Sequence, residues 1–71
     1  MADKTEYIPF SEKLRAVRNS RGLSQSELAK KAGIAQLQIS LYETGRVSPN
    51  LNTLEWICKA LNVKASDLLG F

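Results

Sequence analysis

Histidine is missing altogether from this chain of 71 residues, and cysteine occurs once, as Cys58. The first absence removes the commonest general base and excludes a Cys/His zinc site. The second excludes an intrachain disulfide, which fits a reducing, cytoplasmic setting. No apolar run approaches the ~18 residues that a membrane span needs. The start, MADKTEYIPF, has no cationic segment followed by an apolar one, so it does not read as a signal peptide. Strand-like alternation, repeats, linkers and low-complexity tracts are absent as well. So is a phosphate-cradling glycine loop. Together these gaps argue against an enzyme, and no metal, cofactor, membrane or small-molecule substrate is expected.

What is present suits one small domain. A chain of this length buries a smaller share of its surface than a larger domain does, so it must use nearly every apolar side chain. A hydrophobic content of 44% makes that feasible. Ten Lys+Arg stand against seven Asp+Glu, a formal charge of +3. The excess is unevenly placed: Lys13, Arg15, Arg18, Arg21, Lys30 and Lys31 are accompanied within their span by a single acid, Glu27. One-sided basic charge in a small domain is the footprint of a polyanion binder, although ordinary solvated helix faces give the same pattern.

Residues 1–9 show no periodicity and read as a flexible arm, with residues 10–71 as the folded domain. In SEKLRAVRNSRG, Leu14 and Val17 recur at helical spacing, with Ser11 as N-cap and Gly22 as stop. Ser24 and Glu27 form a capping box for a second helix carrying Leu28, Ala29 and Ala32, and Gly33 supplies a left-handed exit. The stretch IAQLQISLYETG gives a third helix, for which Ala35 offers no capping side chain. Asn50 caps a fourth, whose inward face is read as Leu51, Leu54, Ile57, Cys58 and Leu61. A short fifth carries Leu68 and Leu69. It is prone to fray, because Lys64 stands at its cap. The fold class is all-α, with five helices.

The second and third helices are too short to be stable alone and persist only by packing on their neighbours, which fixes their mutual angle. An element held this way presents the start of its second helix as a rigid probe. The major groove of B-DNA, ~12 Å wide, admits such a helix. The ordered marks LSQSELA, the AG turn, Ile39 with Glu43 and Gly45, and PNLNTL resemble the phage lambda-repressor and Cro-like (Xre) helix-turn-helix family. The likeness runs from Phe10 to Leu69. It implies a compact five-helix lambda-repressor-like fold, with helix two across the DNA backbone and helix three in the major groove.

On that resemblance Gln36 reads adenine, its carboxamide complementing adenine N6 and N7, while Gln25 touches phosphate and braces Gln36. Leu37, Ser40 and Leu41 complete the base-reading set. Leucines can meet thymine C5-methyl groups, but two exposed leucines one turn apart can equally seed a protein-binding patch or be surface variation. Gln38, Thr44, Arg46, Ser48 and Asn50 are candidates for the DNA backbone, with Arg46 the strongest electrostatically. Arg18 and Glu43 match positions that form an internal ion pair in some relatives, and Arg18 is also a phosphate candidate. Trp56 covers the arm through Tyr7 or Ile8, or joins Leu69 and Phe71 in a dimer or partner contact. Cys58 reads as a small buried hydrophobe. Arg15, Arg21 and Lys30 carry no decided role, and Lys31 reads as solvated.

The implied function is that of a sequence-specific double-stranded DNA-binding transcriptional regulator. It would be a repressor acting as a homodimer on a near-palindromic operator, although activation is equally compatible. The rival is a protein-interaction module of antitoxin-like or regulator-binding type.

Overall fold

Local signals at the helix ends account for most of the architecture. The structure, a computed structural model, describes residues 9–69, and of Leu69 the backbone only. Five helices occupy it: α1 Phe10–Ser20, α2 Gln25–Ala32, α3 Gln36–Glu43, α4 Leu51–Leu61 and α5 Ala65–Leu69. No strand occurs among the described residues. Apart from Pro9, the arm expected over residues 1–9 lies outside them, as do Tyr7, Ile8 and Phe71.

The α1 start corrects the expected cap. Pro9, at φ −64° and ψ 155°, occupies the N-cap position, and Ser11 lies inside the helix. The carbonyl of Pro9 accepts from the amides of Glu12 and Lys13, both at 3.1 Å. Proline already holds the φ that this position needs, so the cap lies two residues before the serine and the helix starts at Phe10. At α2 both halves of the capping box form. Ser24 Oγ accepts from the Glu27 amide at 3.0 Å, and the Glu27 carboxylate accepts from the Ser24 amide at 2.8 Å. The backbone bond to Ser24, then that to its side chain, holds the exposed Glu27 carboxyl below its usual pKa.

Only three residues, Gly33, Ile34 and Ala35, separate α2 from α3. Gly33 sits at φ +77°, so the Ile34 amide reaches back to the Ala29 carbonyl at 3.0 Å and closes α2. The α4 exit uses the same geometry without glycine: Asn62 takes φ 59°, as asparagine can. Asn50 caps the α4 start, accepting from the Thr53 amide at 2.8 Å.

The core draws on every helix: Leu14 from α1, Leu28 and Ala29 from α2, Ile39 and Tyr42 from α3, and Leu68 from α5, around Leu54, Ile57, Cys58 and Leu61 of α4. Burial, and then the nearby Asp67 charge, pushes the Cys58 thiol above its usual pKa, in keeping with an inert buried residue. The expected inward face of α4 needs one correction. Leu51 is 83% exposed, and Thr53 is buried in its stead. At 3.6 residues per turn, Leu51 falls about a quarter-turn from the centre of the buried stripe. At α5 the Lys64 amide donates to Asp67 Oδ2 at 3.1 Å, which supplies a partner where Lys64 has no capping side chain. Among the described residues no helix is long and apolar enough to cross a membrane.

Candidate nucleic-acid interface

Helix α3 has a buried side, an anchored end and an open end. Ile39 and Tyr42 enter the core, and Glu43 is buried beside them. Its C-terminal end is held by a cluster of polar contacts that all meet Glu43. The Arg18 guanidinium grips the carboxylate with two donors, Nε to Oε2 at 2.6 Å and Nη2 to Oε1 at 3.0 Å. Gln25 Nε2 donates to the same Oε1 at 3.0 Å. Arg15 Nη2 donates to the backbone carbonyl of Glu43 at 2.8 Å, placing a cation against the negative end of the helix. Arg18 then uses Nη1 on the Leu23 carbonyl at 2.8 Å. One carboxylate thereby joins α1, α2, α3 and the α1–α2 turn, which fixes the angle of α3 against α2.

The electrostatics match this geometry. Burial pushes the Glu43 carboxyl up, but hydrogen bonds from Arg18 and Gln25, with the charges of Arg18 and Arg15, outweigh it. The net pKa lies below the ordinary carboxylate value. Hydrogen bonding to Glu43 raises that of Arg18 in turn. The side chains of Glu43 and Arg18 are 2% and 12% exposed, so the pair lies within the fold.

These contacts revise two assignments and bear on a third. Arg18 is turned inward onto Glu43 and Leu23, which removes it from the phosphate candidates. Gln25 spends one amide N–H on Glu43 and does not brace Gln36; the second N–H of Nε2 is left over. Asn50 commits its side-chain oxygen to the α4 cap and keeps its Nδ2 donors, the atoms from which a phosphate would accept. Arg15 and Arg21, undecided from the sequence, both have structural partners. Arg21 Nε donates to the Leu61 carbonyl at 3.0 Å, tying α1 to the end of α4. The signal was available: Arg15, Arg18 and Arg21 recur every third residue along one stripe of α1 and its C-cap.

The open end of α3 is different. Ala35 gives no side-chain cap, and among the described residues the side-chain help comes from Gln38, whose Oε1 accepts from the Ala35 amide at 3.2 Å. Gln36 is exposed, Leu37 is 67% exposed, and Ser40 and Leu41 are half-buried. The leucines are thus unequal, with Leu37 far the more open. Thr44 and Arg46 follow on the surface. Thr44 Oγ1 donates to the Leu41 carbonyl at 3.0 Å, while Arg46 pairs with none of the described residues through its side chain. Ser48 lies farther along, beside an open cleft of about 210 Å³ that Phe10, Tyr42 and Val47 also line. Trp56 is 47% exposed on α4. The side chain of Leu69, and all of Phe71, lie outside the described residues.

Two short helices at an angle set by a three-residue turn, the second with an exposed leading edge, form the unit expected from the sequence. The family described as helix-turn-helix matches residues 14–68. The chain belongs to that family. Its lambda-repressor-like character shows in its neighbours. The immunity repressor protein of Bacillus phage phi105 is 34% identical over 63 residues, covering 89% of this chain and 44% of the relative. The P22 c2 repressor, solved in complex with a synthetic operator, matches with a TM-score of 0.82 at 29% identity, over 87% of this chain and 94% of that one. The restriction-modification controller protein C.AhdI of Aeromonas hydrophila gives a TM-score of 0.81 at 29% identity, over 83% and 89%. This helix-turn-helix chain spans only about a third to under a half of the first curated relatives it matches. The family is one of DNA-binding regulators rather than a class of enzymes.

Proposed function

We propose that this helix-turn-helix domain binds double-stranded DNA sequence-specifically and regulates transcription, as a repressor acting as a homodimer on a near-palindromic operator. The observation that carries the reading is the asymmetry of α3. Its far end is clamped through Glu43, while Gln36 and Leu37 stand open at its leading edge. A rigid helix with an exposed carboxamide at its start is what major-groove recognition requires. On this reading Gln36 hydrogen-bonds adenine, and Leu37 and Leu41 meet thymine methyl groups with Ser40 between them. Gln25, through its remaining N–H, joins Gln38, Arg46, Ser48 and Asn50 in holding phosphates, and Arg46 supplies the charge. Thr44 joins them when its hydroxyl hydrogen turns from the Leu41 carbonyl. One small module offers few base contacts, so two copies reading half-sites ~34 Å apart give useful affinity. Trp56, exposed on α4, is the described residue on which the self-contact rests. The domain works in the cytoplasm, needs no cofactor and catalyses no reaction.

Selection of bound duplexes from a random pool tests the reading. Winners carry two symmetric half-sites, and affinity falls steeply with added salt as phosphate contacts release counterions. Gln36→Ala then costs roughly 1–3 kcal/mol of specific affinity. A protein-interaction module enriches no sequence, and its partner affinity is indifferent to this change.

A further inference from the structure

We infer that the open leucine of α3 reads the C5-methyl group of a pyrimidine rather than the identity of the base, so that operator binding responds to cytosine methylation. The inference rests on the DNA-binding reading above and deepens it at one side chain. Leu37, the second residue of α3, is 67% exposed next to the exposed Gln36. The core takes Ile39 and Tyr42 from the opposite side of the helix and Leu41 is half-buried, so nothing in the core requires a leucine at position 37. On the edge of α3 that the DNA-binding reading seats in the major groove, this open apolar side chain faces the edges of bases.

In the major groove the apolar feature of a base edge is the methyl at pyrimidine C5. Thymine and 5-methylcytosine both present it. They differ at position 4, where thymine has an accepting oxygen and 5-methylcytosine a donating amine. A leucine side chain can pair with neither, because it has no donor and no acceptor. It gains by removing the methyl and itself from water, and that gain is the same on either ring. A hydrogen-bonding reader such as Gln36 behaves oppositely, being sensitive to donors and acceptors and blind to the methyl. The edge of α3 therefore combines two kinds of discrimination in adjacent residues, base identity at Gln36 and methylation state at Leu37.

The experiment starts from an operator selected out of a random duplex pool with the intact chain. At each pyrimidine of the half-site, affinity is measured at one fixed salt concentration for two matched pairs: thymine against uracil opposite adenine, and 5-methylcytosine against cytosine opposite guanine. Each pair differs by the methyl alone. At one position both pairs favour the methylated base by about fourfold per half-site, the value of burying one such carbon. Both preferences fall to about unity in Leu37→Ala, whose thermal midpoint stays at the wild-type value because the side chain is exposed. Both persist in Gln36→Ala, which binds more weakly throughout. Equal binding of thymine and uracil at every position overturns the inference. So does a thymine preference without a 5-methylcytosine preference at the position that Leu37→Ala affects, which would mean that the 4-oxygen is read. So do methyl preferences that survive Leu37→Ala at every position, which would assign them to Leu41. All three outcomes leave operator binding itself intact. Failure of any duplex in the pool to bind overturns the DNA-binding reading as well.

Discussion

The two ends of α3 are built on opposite plans. At its C-terminal end a buried carboxylate accepts three side-chain hydrogen bonds from two other helices, and an arginine holds the last helical carbonyl. At its N-terminal end there is no capping side chain, and one glutamine oxygen meets a single amide. A helix of eight residues has little stability of its own, so it must be anchored somewhere. Concentrating the anchor at the end away from the leading edge leaves Gln36 and Leu37 without structural duties. They are consequently free to be chosen for what they touch. The lesson is a division of labour along 12 Å of helix, a length of about 1.5 Å per residue.

Removing the anchor is the most direct way to break that comparison. Glu43→Ala leaves Arg18 buried beside an empty site, at a cost of about 3 kcal/mol in unfolding free energy, the low end for a broken buried pair. Glu12→Ala, at an exposed position on α1, costs almost nothing, and equal thermal midpoints for the two variants would dismiss the anchoring role. Acid provides a second reading of the same group. Because the folded Glu43 pKa lies below the unfolded one, its contribution is complete above the unfolded carboxylate value of about 4.3 and drains away as pH falls through the lower folded value. In acid titrations monitored by circular dichroism the wild type accordingly loses stability more steeply than Glu43→Ala below that pH.

The next effect separates the two ends by kind rather than by size. Gln36→Ala removes roughly 2 kcal/mol of specific DNA affinity, a mid-range value for a bidentate contact, and leaves the thermal midpoint where it was. Glu43→Ala lowers both. A Gln36→Ala protein that melts early would show that the leading edge also holds the fold together. Ser24→Ala acts on stability alone, by about 1 kcal/mol, since it deletes the oxygen that satisfies the Glu27 amide.

The sequence was most legible where one residue type has one physical use. Ser24 with Glu27, Gly33 after Ala32 and Asn50 before Leu51 each announce a helix end, and each end lies there. The expected cap at Ser11 misled because serine is a good cap in the abstract, whereas Pro9 had already set the backbone for entry. Leu51 misled because helical periodicity ignores where a helix starts. A first-turn residue at the margin of the stripe projects beyond the core. Asn62 was invisible for another reason, since glycine is the expected left-handed residue and asparagine takes the role less often. At the interface, Arg18 and Glu43 could be paired only through family likeness, as 25 residues separate them. Nothing local in the sequence says that Gln25 reaches the same carboxylate.

The smallest effect sharpens the contrast by repairing the weak end. Ala35 already has the backbone of a capping residue, φ −74° and ψ 145°, close to Ser24 at φ −78° and ψ 167°. In Ala35→Ser the new hydroxyl can therefore accept from the Gln38 amide as Ser24 Oγ does from that of Glu27, with no change in chain path. The gain is about 0.5 kcal/mol, at the lower end of capping values because the Gln38 amide already donates to the Ala35 carbonyl at 3.0 Å. Measured by denaturant unfolding, a shift in midpoint without a change in slope registers it. If the leading edge is shaped for contact rather than for stability, this variant becomes more stable without binding its selected operator more tightly. A parallel rise in operator affinity would instead mean that fraying at Ala35 limits recognition, and that the anchored and open ends of α3 are coupled.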